Sequence, residues 1–348
     1  MFRHECYKIY AKPAVILFMI AAFIFNGVQL VYLENFDRNG YSNYTVEAYH
    51  KIWQDLSLYT EQNGGSWGCA LDKLSDMLLM LETERHILYT ESYYAEQDLY
   101  ETVRTEIEFT VNYKEYIDSM YSSAEKLSLL PMYSDKNSFA YKKLMITPKL
   151  YERMKSVEPK CEPSLGISMA VNDEVTDVIA IAIILYICIS LWQKEREQGL
   201  ITLLRTSYRG RGRLAGCKVL VLTVSIFFIS LILYGTNMFL AVQTYGFGDL
   251  SRPLASVYEF GTTHWNISVI SFLVCFVLIK AFALIFLALI VSLVFLLLSN
   301  ALLAQLIVCV LMAVSYILYF KTDALSLFSP VKYLSPIGIL KIKNIFLG

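Results

Sequence analysis

The sequence predicts an all-α membrane protein with about five transmembrane helices, a partial outer helix and a mainly helical extracytoplasmic domain. Three observations carry that class. Apolar residues make up 56% of the 348, enough for several uncharged runs that approach the ~20 residues a helical span needs. Charge is partitioned: residues 34–171 hold 22 Asp/Glu against 14 Lys/Arg, so that block nets −8 and the rest of the chain +7. Finally, short basic segments flank the apolar runs, and the positive-inside rule assigns those segments to the cytoplasm.

The first segment, 1–33, is a cytoplasmic head with Arg3, Lys8 and Lys12, followed by the apolar run Ala14–Leu33. That run exceeds a signal-peptide core, and no small-x-small cleavage site follows it, so it reads as a retained span leading outward. Residues 34–171 form the extracytoplasmic domain. Leu71, Leu74, Leu78, Leu81 and Leu88, then Val103, Ile107 and Val111, recur at helical spacing. The glycines of Asn63–Gly68 predict a break between helices, and Pro131, Pro148, Pro159 and Pro163 predict a more irregular second half.

The remaining segment, 172–348, is the membrane domain. A second span is expected over about Thr176–Gln193 and a third over about Lys218–Val242, with Gln243–Trp265 as an external loop. The charge-free stretch Ala281–Phe320, about 40 residues or ~60 Å as one helix, fits two spans turning at Ser299–Asn300. Asn266–Ile279 is then left as a partial outer helix. Lys280 would sit at a break and snorkel to the outer interface.

Most catalytic chemistry is absent. There is no G-x-x-x-x-G-K-[ST] loop, no H-E-x-x-H or C-x-x-C pairing and no G-x-S-x-G elbow. The chain is therefore expected to be non-catalytic, with no metal site, no cofactor of its own and no nucleic-acid partner. Of seven cysteines, Cys69 and Cys161 alone fall in the acidic block, which makes them a candidate disulfide pair in an oxidising compartment.

The most specific stretch is the elbow at 194–218, between two uncharged runs. Its first half places Leu200, Leu203 and Leu204 on one helical face. Its second half carries Arg205, Arg209, Arg211, Arg213 and Lys218 without an acid. The wording Glu195, Arg196, Glu197, Gly199, Leu203, Leu204, Arg205, Thr206, Gly210, Arg211 and Lys218 resembles the coupling segment of export-type ABC transporter permeases. The resemblance is to members with a large external domain after the first span, as in Gram-positive bacteria. It implies a multi-pass permease of the bacterial cytoplasmic membrane, paired with a second permease chain and embedded in lipid. A separate ABC ATPase would bind the ATP and magnesium. Leu200, Leu203 and Leu204 would fill a groove on that ATPase, with Glu195, Glu197 and Arg205 at its rim. The family implies six spans against the five counted, with a stretch like Val331–Leu340 before the last, so either the native product continues past Gly348 or a partner replaces the missing span. Two alternatives stand beside this reading: an ABC-type mechanical transducer, which would have four spans, and a receptor-like membrane sensor.

Overall fold

The computed structural model describes residues 2–33, 42–85, 91–133, 135–137, 139–193, 210–263, 265–298 and 300–321. Among them the chain is helical throughout, with no strand and only an isolated bridge between Pro253 and Ser268. It divides into two compact units. The apolar unit comprises Met1–Val31, Ala170–Leu240 and Val274–Ile339; the polar unit comprises Tyr32–Met169, Ala241–Leu273 and Leu340–Gly348.

In the apolar unit, α1 (Phe2–Tyr10) precedes α2 (Pro13–Val28), whose first turn starts at a proline that needs no amide partner there. Helix α9 (Glu174–Cys188) continues into a wider turn at Ile189–Gln193, against which α1 packs. Helices α10 (Gly210–Tyr245), α11 (Val269–Leu297) and α12 (Ala301–Lys321) complete the apolar elements. Among the described residues, four helical segments are long and apolar enough to cross a membrane: Pro13–Val31, Leu165–Trp192, Leu214–Tyr245 and Val269–Leu297. In α12 the described apolar stretch is shorter, Leu302–Ser315.

One expectation fails here. Asn266–Ile279 is not a separate outer helix, because α11 runs unbroken through Lys280. At 29 residues it is about 44 Å long, more than a bilayer core of ~30 Å requires. The reason is tertiary: Lys280 is buried against a counter-charge, so the chain need not break to release it to water. Helix α11 ends at Leu297 and α12 begins at Ala301, on either side of the expected turn at Ser299–Asn300, of which Ser299 lies outside the described residues.

The polar unit is built from α3 (Ser42–Gln62), α4 (Trp67–Arg85), α5 (Glu91–Val111), α6 (Tyr113–Ser128), α7 (Phe139–Glu152) and the start of α8 (Leu165–Val171). The expected break between α3 and α4 is formed by Gly64 and Gly65, at φ of 85° and 81°, a region that costs other residues strain. Leu74 and Leu78 of α4 meet Val103 and Ile107 of α5 and Tyr49, Trp53 and Leu56 of α3 in one core. Each large side chain buried there contributes roughly 1.5–3 kcal/mol. Val111, the last residue of the α5 stripe, is exposed. A second core joins Tyr113 and Ile117 of α6 to Tyr151 of α7. Pro148 lies inside α7 rather than ending it, whereas Pro159 and Pro163 do fall in a non-helical stretch. Gly166 marks a close approach: a Cβ there would lie 2.2 Å from the carbonyl oxygen of Gly246.

Candidate functional site

Polar side chains buried among apolar helices must satisfy one another, and the apolar unit contains a network that does so. Its centre is Asp173, the N-cap of α9, whose Oδ1 accepts the backbone N–H groups of Val175 at 3.0 Å and Thr176 at 3.4 Å. The same carboxylate accepts from Gln29 Nε2 at 3.3 Å and from Asn237 Nδ2 at 3.1 Å. Thr176 Oγ1 lies against Asp173 Oδ2 and 2.6 Å from Asn26 Oδ1, and it accepts from Asn237 Nδ2 at 2.7 Å. Asn26 Nδ2 closes the ring by donating to Asn237 Oδ1 at 2.6 Å. Residues from α2, its terminal turn, α9 and α10 are thereby tied together, all of them buried. Thr176 has one proton to serve two acceptors, and Gln29 Oε1 has no hydrogen-bond partner.

One turn along α9 is an ion pair. Lys280 Nζ donates to both oxygens of Asp177, at 2.7 and 2.6 Å. Tyr234 of α10 donates its hydroxyl to Asp177 Oδ1 at 2.5 Å. The ammonium also lies 5.2 Å from the Tyr234 ring centroid and 5.5 Å from that of Phe276, within cation–π range. This cluster joins α9, α10 and α11. Lys280 therefore does not snorkel to an interface; its side chain is 3% exposed and held by an acid.

Of the residues the elbow suggested, Glu195, Glu197, Gly199, Leu200, Leu203, Leu204 and Arg205 lie outside the described residues, and only the backbone of Arg211 is described, in the first turn of α10. Lys218 is visible and buried. Its Nζ donates to the carbonyl of Leu191 at 2.7 Å and lies 5.1 Å from the Trp192 ring centroid. The last turn before the elbow and the first turns after it are thus joined directly. Cys69 and Cys161 are both free thiols. The pairing expected of them is not formed: Cys161 is enclosed in the α3–α4–α5 core, where burial pushes its thiol up, and Cys69 stays half-buried on α4. Among the described residues no group of three or more His, Cys, Asp or Glu side chains could hold a metal ion.

Sequence reasoning singled out Lys280 but missed Asp177 and the whole Asn26–Gln29–Asp173–Thr176–Asn237 network. A signal existed. Asn26 and Asn237 are carboxamides inside uncharged apolar runs, and such residues need partners wherever the run is buried. Comparison with protein-family models, curated proteins and solved structures gives no match to this chain.

Proposed function

We propose that this chain is a permease subunit of an ATP-driven ABC exporter in the bacterial cytoplasmic membrane, with 34–171 outside. It would assemble with ATPase subunits and a second permease chain, and it would itself be non-catalytic. The observation that carries the reading is the buried Lys218–Leu191 hydrogen bond, which brackets an elbow worded like a coupling segment. A push on the elbow would reach α9 and α10 together, and the Asp177–Lys280–Tyr234 cluster would pass it to α11. Interfaces of this type take their energy from a few buried apolar anchors. Leu203→Asp combined with Leu204→Asp should therefore bury unpaired charge and cost several kcal/mol of docking. The expected result is loss of ATPase co-purification and of substrate-stimulated ATP hydrolysis. A double variant that keeps both would leave the elbow as a membrane anchor and remove the main support for an exporter.

A mechanical transducer is the second reading, favoured by the four helical segments among the described residues that are long and apolar enough to cross a membrane. Cysteine accessibility in intact cells at Ser66, Ser134 and Ser207 fixes which side each segment occupies. Labelling at Ser207 from outside contradicts both readings.

A further inference from the structure

The polar unit holds a cavity of about 550 Å³, within the range of small-molecule sites. Along α5, Asp98, Glu101 and Glu106 follow one helical face and line it, and Glu259 and Tyr258 face them from the outer loop. The lining therefore brings four carboxylates together and contains no basic side chain.

Glu106 is what makes this more than an acidic surface. It is buried at 9% exposure; Ser164 donates to its Oε1 at 2.5 Å, and its Oε2 has no hydrogen-bond partner. A buried carboxylate oxygen without a partner is costly, and a ligand that donates to it would remove that cost. The carboxylates do not converge on one point, since among the described residues no three such groups could share a metal ion. That spread suits an extended cation better than a metal. Tyr258, exposed at the rim, adds a ring face of the kind that attracts ammonium groups.

We propose that this cavity binds an organic cation, a protonated amine on an aliphatic stem, with the amine donating to Glu106 Oε2 and further charge balanced by Asp98, Glu101 and Glu259. Free polyamines and basic peptide side chains share that chemistry. The site does not depend on the transporter reading.

Burial raises the Glu106 carboxyl to about 7, so its ionisation is sensitive to whatever else faces it. Those groups are Ser164 and Cys161 before α8, Tyr49 on α3, and Arg252 and Glu259 in the outer loop. Arg252 donates from Nη2 to the carbonyls of Pro163 at 2.7 Å and Phe247 at 3.2 Å, its Nη1 lies 3.8 Å from Glu162, and its charge opposes the upward shift of Glu106 without cancelling it.

The experiment is calorimetric titration of the full-length protein in detergent with spermidine, with a capped dilysine peptide and with calcium. Glu106→Gln preserves shape and removes charge, while Glu101→Gln changes only an exposed rim residue and leaves the core intact. Glu106→Gln should weaken amine binding about tenfold or more, the worth of a charge-assisted hydrogen bond, and Glu101→Gln about two- to fivefold, the worth of a solvent-exposed ion pair. Wild-type affinity should rise between about pH 6 and 8, and that dependence should vanish in Glu106→Gln. Tighter spermidine assigns a free polyamine, and tighter dilysine assigns a basic peptide; either supports the site. No amine binding, unchanged affinity in both variants, a flat wild-type pH profile, or displacement of spermidine by equimolar calcium would each overturn it.

Discussion

Asp177 lies in the apolar unit with an ammonium 2.6 Å from one oxygen and a phenol hydroxyl 2.5 Å from the other. Glu106 lies in the polar unit with one hydroxyl donor on one oxygen and nothing on the other. Both are carboxylates withdrawn from water, so the difference lies in what each was provided with. Within apolar helices, an uncompensated charge has no cheap escape, and a complete set of partners is a structural requirement. A cavity wall can leave a valence open because a ligand can fill it. A buried acid that is fully partnered therefore reads as a tie between helices, and one left half-partnered beside a cavity reads as a binding group.

The largest test of this contrast is Lys280→Met. It strands Asp177 without its cation and should cost about 3–5 kcal/mol, the usual penalty for removing one member of a buried pair. Thermal unfolding in detergent, followed by intrinsic fluorescence, reads the loss. Adding Asp177→Asn should recover most of it, because the orphaned charge is then gone. A Lys280→Met protein as stable as the parent would mean the pair is not a tie.

Glu106→Gln should act in the opposite direction. The native carboxyl titrates near 7 against an ordinary 4.5, so between those values the folded state binds more protons than the unfolded one. Stability attributable to this group is thus intact at low pH and falls as pH rises through that window. The full penalty, about 3 kcal/mol, is present only above it. Glu106→Gln should raise stability at about pH 8, leave it unchanged at about pH 4 and flatten the slope between. If the variant is less stable at every pH, the carboxylate is already satisfied and the contrast with Asp177 collapses.

Asn237→Ala is the smallest of the three. It removes the amide that links Asp173, Thr176 and Asn26, and should cost about 1–2 kcal/mol, since the freed groups are polar but uncharged apart from Asp173. The same unfolding assay applies. A loss as large as that of Lys280→Met would place the weight of the helix contacts in the amide ring rather than in the ion pair.

Much of the helix layout was legible from the residues alone. Apolar runs near Ala14–Leu33, Thr176–Gln193 and Lys218–Val242 became α2, α9 and α10 because apolar length is a one-dimensional property that no partner alters. The stripe of Leu74 and Leu78 and that of Val103 and Ile107 became core for a related reason: periodicity already says which face turns inward. Gly64 and Gly65 ended a helix because their own backbone freedom allows it.

What local reasoning could not supply was partnership across the chain. Lys280 read as a break because, taken alone, a lysine in an apolar helix must reach water. Asp177, 103 residues away in sequence, removes that need, and α11 stays whole. Asn26 met Asn237 across 211 positions, and Ser164 met Glu106 across 58. Hydropathy and periodicity are sums over neighbours along the chain, and they determined where helices lie and which faces are buried. The pairing of charges and amides is a sum over neighbours in space. The tertiary structure alone decided which polar groups were satisfied and that Glu106, like Gln29, kept one oxygen without a partner.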